Sequence, residues 1–171
     1  MTDVNYTLNM NQAYLLIGGN MGNRARNLER ARVFLCDEAG NIFSQSSIYE
    51  TAAWGKTDQP SFLNQALALE TQLSARVLLK TILGIESRMG RFRQEKNGPR
   101  VIDIDIAFYN DDIIAETGLY VPHPEIQNRR FALVPLAELD PQKIHPVLKK
   151  SVQQLLTECK DPLPVKRLEN L

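Results

Sequence analysis

The stretch Arg100-Val101-Ile102-Asp103-Ile104-Asp105-Ile106-Ala107-Phe108-Tyr109 alternates apolar and acidic residues with the period of two that a β-strand imposes. With that period Ile102, Ile104, Ile106 and Phe108 share one face, and Asp103 and Asp105 share the other. The apolar face must pack beneath helices. The strand would then hold both carboxylates rigidly on its opposite side, with Cβ atoms about 6.5 Å apart. Two ionised carboxylates side by side repel unless a cation lies between or above them, and hard oxygen donors suit Mg²⁺. The same spacing also fits a solvent-facing polar stripe on a half-buried strand, so Asp-x-Asp alone leaves both readings open.

Working back from this strand, a basic loop over 90–99 follows an amphipathic helix capped by Ser74, in which Leu78, Ile82, Ile85 and Met89 fall at helical spacing. Before the helix, 62–70 alternates as a strand: Leu63, Leu67 and Leu69 point one way, and Phe62, Asn64, Ala66 and Ala68 the other. A turn-prone stretch over 52–60 separates it from a strand over 42–51. Further back, Leu28, Ala31 and Leu35 mark a helix ending near Gly40, and 13–17 reads as a buried strand stopped by the turn at 18–23. Downstream, 109–112 suits a hairpin turn before Ile113-Ile114, and the prolines of 121–124 exclude helix interior. A helix over 131–139 and a last one capped by Ser151 follow, with a tail beyond 141 that carries no motif. The order β-α-β-β-α-β predicts an α+β fold of the ferredoxin-like split β-α-β kind. This is an antiparallel sheet with helices on one face plus C-terminal additions, one domain over 1–171 with its motif-bearing core at about 13–139.

Composition narrows the function classes. The chain has 171 residues, 43% hydrophobic and 23% charged, which argues against disorder. Twenty basic residues balance twenty acidic ones, which disfavours a nucleic-acid or anionic-membrane binder. No apolar run approaches the roughly 20 residues of a membrane span, and the polar 1–12 segment with Asp3 is unlike a secretory signal. Cys36 and Cys159, far apart and without Cys or His neighbours, suit core packing in a reducing cytoplasm rather than a disulfide or zinc framework. Zero net charge permits a monomer.

Arg88, Arg91, Arg93, Lys96 and Arg100 crowd immediately before the acidic strand, opposed only by Glu95. Such a cluster is either a solvated loop or, beside a metal strand, the set of forked donors that a polyphosphate needs. The turn at 18–23 lacks the Lys-Ser/Thr of a P-loop and the glycine spacing of a dinucleotide fold, so it reads as a strand-to-helix turn. Phe62 and Asn64 on one face offer an aromatic wall and an amide for a planar heterocycle, with core packing as the other reading of Phe62. His123, in a Pro-flanked loop, is a candidate ligand contact, and His145 a weaker one.

Together these segments resemble the 6-hydroxymethyl-7,8-dihydropterin pyrophosphokinases of folate biosynthesis. The resemblance is carried by Gly90-Arg91-Phe92-Arg93 and by Asn97-Gly98-Pro99-Arg100-Val101-Ile102-Asp103-Ile104-Asp105-Ile106. It is supported by Ile17-Gly18-Gly19-Asn20-Met21-Gly22, Ser47-Ile48-Tyr49-Glu50-Thr51, Asp58-Gln59-Pro60-Ser61-Phe62-Leu63-Asn64, Val121-Pro122-His123-Pro124 and Asn128-Arg129-Arg130-Phe131. It implies transfer of pyrophosphate from ATP to the pterin hydroxymethyl oxygen, releasing AMP. It also implies two Mg²⁺ ions held by Asp103 and Asp105, with Arg91 and Arg100 completing the catalytic set. Arg93, Arg100, His123 and Arg129 would contact ATP, and Glu86 and Ile106 would line the nucleotide site. The pterin would lie between Phe62 and Phe131, its edge met by Asn64 and by main-chain groups over 51–54, from Thr51 through Ala53 to Trp54. The loops over 51–60 and 92–97 would close to exclude water. Gly19, where the family usually has Ser, should matter little to a turn. Asn97 stands in place of a lid Trp, Pro124 in place of an aromatic and Ala107 in place of a larger aliphatic residue. Two other readings remain: another Mg-dependent nucleotide transferase, and a non-enzymatic RNA-binding module of the same topology. The latter would expose aromatics on a basic sheet face, which acidic Asp103 and Asp105 contradict.

Overall fold

A computed structural model describes residues 10–55, 58–91 and 98–169. At its centre β1 (Asn11–Gly19) lies antiparallel between β4 (Phe62–Thr71) and β5 (Asp103–Tyr109). The outer edge of β4 is shared by β2 (Asn41–Gln45) and β3 (Tyr49–Thr51), which the sequence suggests as one strand and which a break at 46–48 divides. Two helices cross between strands: α1 (Arg24–Glu38), capped by the Asn23 side chain, and α2 (Ala75–Arg88), capped by Ser74 as its sequence foretells. Gly90, at φ +90°, turns the chain out of α2, a conformation in which glycine carries no Cβ penalty.

The helices pack where periodicity puts the apolar residues. Leu28, Ala31 and Leu35 of α1 and Leu78, Ile82 and Ile85 of α2 bury against Leu15, Ile17, Leu67, Leu69, Ile104 and Ile106. The sheet is covered on its other face too, contrary to the expectation of helices on one side. There α3 (Arg130–Leu139) and α4 (Val152–Glu158) seal a second core of Tyr14, Ala66, Ala68 and Phe108 with Leu133, Leu136, Val152 and Leu155. The reason lies in β1 and β4, whose second faces are apolar as well and need cover.

Phe108 belongs to this second core and not with Ile104 and Ile106. Tyr14 pairs with Phe108 but Leu15 pairs with Ile106, so Ala107 is the extra residue of a β-bulge that inverts the alternation. The bulge explains the small residue at 107: Ala107 is fully buried, and its carbonyl accepts the His123 N–H at 3.0 Å. The turn at 109–112 does not close a hairpin onto β5. Instead β6 (Ile114–Glu116) pairs with β7 (Leu119–Val121) as a separate ribbon.

The tail contributes more than a packing helix. β8 (Val165–Arg167) adds to the sheet beside β3, and the Leu168 N–H donates to the Ile48 carbonyl at 2.9 Å. Ser151 caps α4 through a full capping box with Gln154. Both thiols are free. Cys159 packs against the second core, whereas Cys36 is exposed on α1, which overturns the core reading for that residue.

Candidate active site

Strand register builds the site. Gly18 of β1 pairs with Asn64 of β4 on one side and with Asp103 of β5 on the other. A Cβ at Gly18 would come within 2.3 Å of Asn64 Oδ1, so the glycine leaves a gap between an amide and a carboxylate on one sheet face. Asn64 is buried, and its Nδ2 donates to Thr51 Oγ1 at 2.7 Å. Phe62 lies two residues before it on the same face. The cleft above this row takes in about 740 Å³, counting the space at its mouth.

Most of the residues expected at a site meet here. Thr51, Trp54, Phe62, Asn64 and Phe131 line the cleft together with Arg100, Asp103, Asp105, His123 and Arg129. Ala53 is buried beside Trp54 and is not part of the lining. Arg91 stands behind Asp103. Glu86 and Ile106 are buried on the helix side of the sheet, away from the cleft, and any ligand contact by Ile106 falls to its main chain. Arg93 and the rest of 92–97, including Asn97, lie outside the described residues, as do Lys56 and Thr57 in the other expected lid.

The two carboxylates have unlike surroundings. Asp103 is gripped by two cations, Oδ1 at 2.7 Å from Arg91 Nη1 and Oδ2 at 3.0 Å from Arg100 Nε. Asp105 pairs with Leu16 through the strand ladder, but its carboxylate has no hydrogen bond or ion pair among the described residues. Burial, then the charges of Asp103 and Glu86, push it up to about 7, against the weaker pull of Arg129 and Arg91. Glu86 accepts the Ile104 N–H at 2.7 Å and pairs with Arg91, so it anchors both the strand and the arginine that holds Asp103. Burial nevertheless raises its proton affinity.

The arginines of the cleft rest on aromatic faces. Arg100 sits 4.9 Å above the Phe62 ring, and Arg129 lies 4.8 Å from Trp54 and 5.9 Å from Phe131. The buried Nε of Arg129 has no hydrogen-bond partner among the described residues, which leaves a donor available to an anion. His123 Nδ1 accepts the Glu125 N–H at 3.2 Å, so in the neutral ring Nε2 carries the proton. Burial and the Arg129 charge lower its pKa and favour that neutral form.

Sequence patterning did not single out Leu16, Ile126 or Ala132, which line the cleft, nor the close approach at Gly19. A Cβ on Gly19 would lie 2.2 Å from the Val101 carbonyl oxygen, so in this chain the position tolerates no side chain without backbone movement. Gly19→Ser is expected to destabilise the fold by about 1–3 kcal/mol. A thermal melt within a degree of the parent would refute the tight fit.

The sequence pattern described as 7,8-dihydro-6-hydroxymethylpterin-pyrophosphokinase (HPPK) matches residues 14–141. The chain belongs to this family. A 2-amino-4-hydroxy-6-hydroxymethyldihydropteridine pyrophosphokinase of Methylorubrum extorquens is 38% identical over 94% of this HPPK chain and 100% of its own length. Another of that name from Aquifex aeolicus is 38% identical over 87% of this chain and 92% of its own. The fold is shared with a Plasmodium falciparum HPPK-DHPS triple mutant at a TM-score of 0.74 and 20% identity, covering 87% of this chain and 44% of that one. This HPPK is an enzyme that transfers a pyrophosphoryl group from ATP to a hydroxymethyldihydropterin, a step of folate biosynthesis. Among the described residues no helix is long and apolar enough to cross a membrane.

Proposed function

We propose that the cleft carries out this transfer by holding the pterin over Phe62 and the ATP phosphates over Asp103 and Asp105, with Mg²⁺ required. The observation that carries the assignment is the row Asn64–Gly18–Asp103, which sets an amide suited to a heterocycle's edge beside a carboxylate pair. The pterin ring stacks between Phe62 and Phe131, and Asn64 with main-chain groups near Thr51 reads its edge. Ala53 supports that loop from its buried position.

The residues fit a magnesium site. Asp103 and Asp105 are hard oxygen donors on one strand face, and Asp105 is half-buried, desolvated and without a side-chain partner among the described residues, an unfavourable state for a carboxylate that a cation would relieve. Two ions held there would supply charge neutralisation on the phosphates and acidify the attacking alcohol. Arg91 and Arg100 pair with Asp103, and were a cation to take over that carboxylate, these guanidiniums would be donors for phosphate oxygens. Arg129, through its Nε without a partner among the described residues, and His123, through Nε2, add donors on the nucleotide side, and the family resemblance gives Arg93 an ATP-contacting role. The pterin oxygen attacks the β-phosphorus, its proton passes to solvent, and the bond from that phosphorus to the oxygen that leaves with AMP breaks. Trp54, Phe131 and Ile126 keep water from competing.

The free thiols suit a reducing cytoplasm, and the balanced charge permits the single domain over 1–171 to act as a monomer. Product analysis with ATP, Mg²⁺ and 6-hydroxymethyl-7,8-dihydropterin tests the reading. AMP and a pterin diphosphate are expected in equal amounts, and ADP or free pyrophosphate would point to another nucleotide transferase.

A further inference from the structure

We propose that Asn20 is a positioning residue that ties the pterin wall to the phosphate-binding strand, an inference resting on the assignment of the cleft above. Asn20 follows β1 directly and is only 4% exposed. Its Nδ2 donates to Gln59 Oε1 and to the Pro60 carbonyl, both at 3.0 Å. Its Oδ1 accepts the Arg100 N–H at 2.9 Å, and its own N–H donates to the Arg100 carbonyl at 2.9 Å. The orientation of the amide is unambiguous, since a flip would set two hydrogens against the Arg100 N–H and an oxygen against two acceptors.

This clamp joins two segments that the sheet does not join. Pro60 stands two residues before Phe62 and Arg100 three before Asp103, while β4 and β5 are separated by β1 and pair with it only from those points onward. The segments 58–61 and 98–102 lie outside the strands, and Asn20 bridges them with a donor pair on one side and an acceptor on the other. It thereby sets the distance between the stacked ring and the phosphorus it must meet, where displacement of about 1 Å costs roughly 100-fold in rate. No other uncharged side chain of this size offers two donors and an acceptor together.

Asn20→Asp keeps the acceptor for Arg100 and removes both donors to Gln59 and Pro60. It is expected to raise the KM for the pterin about 10-fold while the KM for ATP stays within about 2-fold. Asn20→Ala removes both sides and is expected to lower kcat about 100-fold in addition. Equal changes in the two KM values for Asn20→Asp, or parent kinetics in that variant, would overturn the proposal. A thermal melt verifies folding of each variant; should Asn20→Asp not fold, Asn20→Ala decides alone, with a fall in kcat below about 10-fold overturning the proposal, and should Asn20→Ala not fold, Asn20→Asp decides. The parent enzyme is assayed alongside. Failure to release AMP would sink the reading of the cleft, whereas AMP release with an unaffected Asn20→Asp would sink only the positioning role.

Discussion

Asp105→Asn should lower kcat/KM by at least about 1,000-fold and at the same time make the metal-free protein more stable. The carboxylate is half-buried near Asp103 and Glu86 without a direct partner among the described residues, and desolvation together with those two charges raises its pKa to about 7. A folded-state pKa above the unfolded one means that ionisation opposes folding. The penalty is absent below the ordinary Asp value near 4, grows as pH rises and is complete above 7. The asparagine does not bear it. The gain in Tm over the parent, measured in a chelator, should therefore widen from near zero towards pH 4 to several degrees above pH 7. Asp103→Asn should lose activity to a similar extent but without the stability gain, because Arg91 and Arg100 lose the anion they share. Full Mg-dependent turnover in either variant would sink the metal assignment, and a Tm difference independent of pH would sink the electrostatic account of Asp105.

Glu86→Ala should destabilise the fold by about 3–5 kcal/mol, the usual cost of breaking a buried, hydrogen-bonded charge pair. At 171 residues this lowers Tm by about 6–20 °C. Glu86 is 2% exposed and answers two donors at once, the Ile104 N–H in β5 and the Arg91 guanidinium. Its loss leaves a strand N–H unpaired and frees the arginine that fixes Asp103, so activity should fall along with stability. Glu86→Gln keeps an acceptor for the N–H and should recover part of the stability but not the ionic hold on Arg91. A Tm unchanged in Glu86→Ala would show that the carboxylate is not the anchor the structure makes it.

The placement of Glu86 illustrates what patterning could and could not reveal. The resemblance suggested a residue lining the nucleotide site, and helical spacing alone cannot say which side of the sheet a side chain enters. The pairs Asp103 with Asp105 and Phe62 with Asn64 were legible, because residues two apart on one strand share a face whatever the rest of the chain does. Phe108 broke the same rule three residues beyond Asp105, since Ala107 is extra only with respect to β1, and a bulge is a property of two strands. The second helical layer and β8 were missed for a related reason. Both depend on what packs against a surface already complete in its own local pattern. Cys36 shows the converse: its residue type favours burial, but its place on α1 leaves it in solvent.

Residue order by itself determined the succession of strands and helices, the side of the acidic strand on which its carboxylates lie and the family to which they belong. Each of these follows from backbone geometry over a few residues or from motif identity. Only the tertiary structure decided that Gly18 opens the gap between Asn64 and Asp103, that Asn20 spans from Pro60 to Arg100, and that among the described residues Asp103 is paired while the Asp105 carboxylate is not. Those facts depend on strand register and on burial. Both are set by contacts between segments dozens of residues apart, whose free energies no local period encodes.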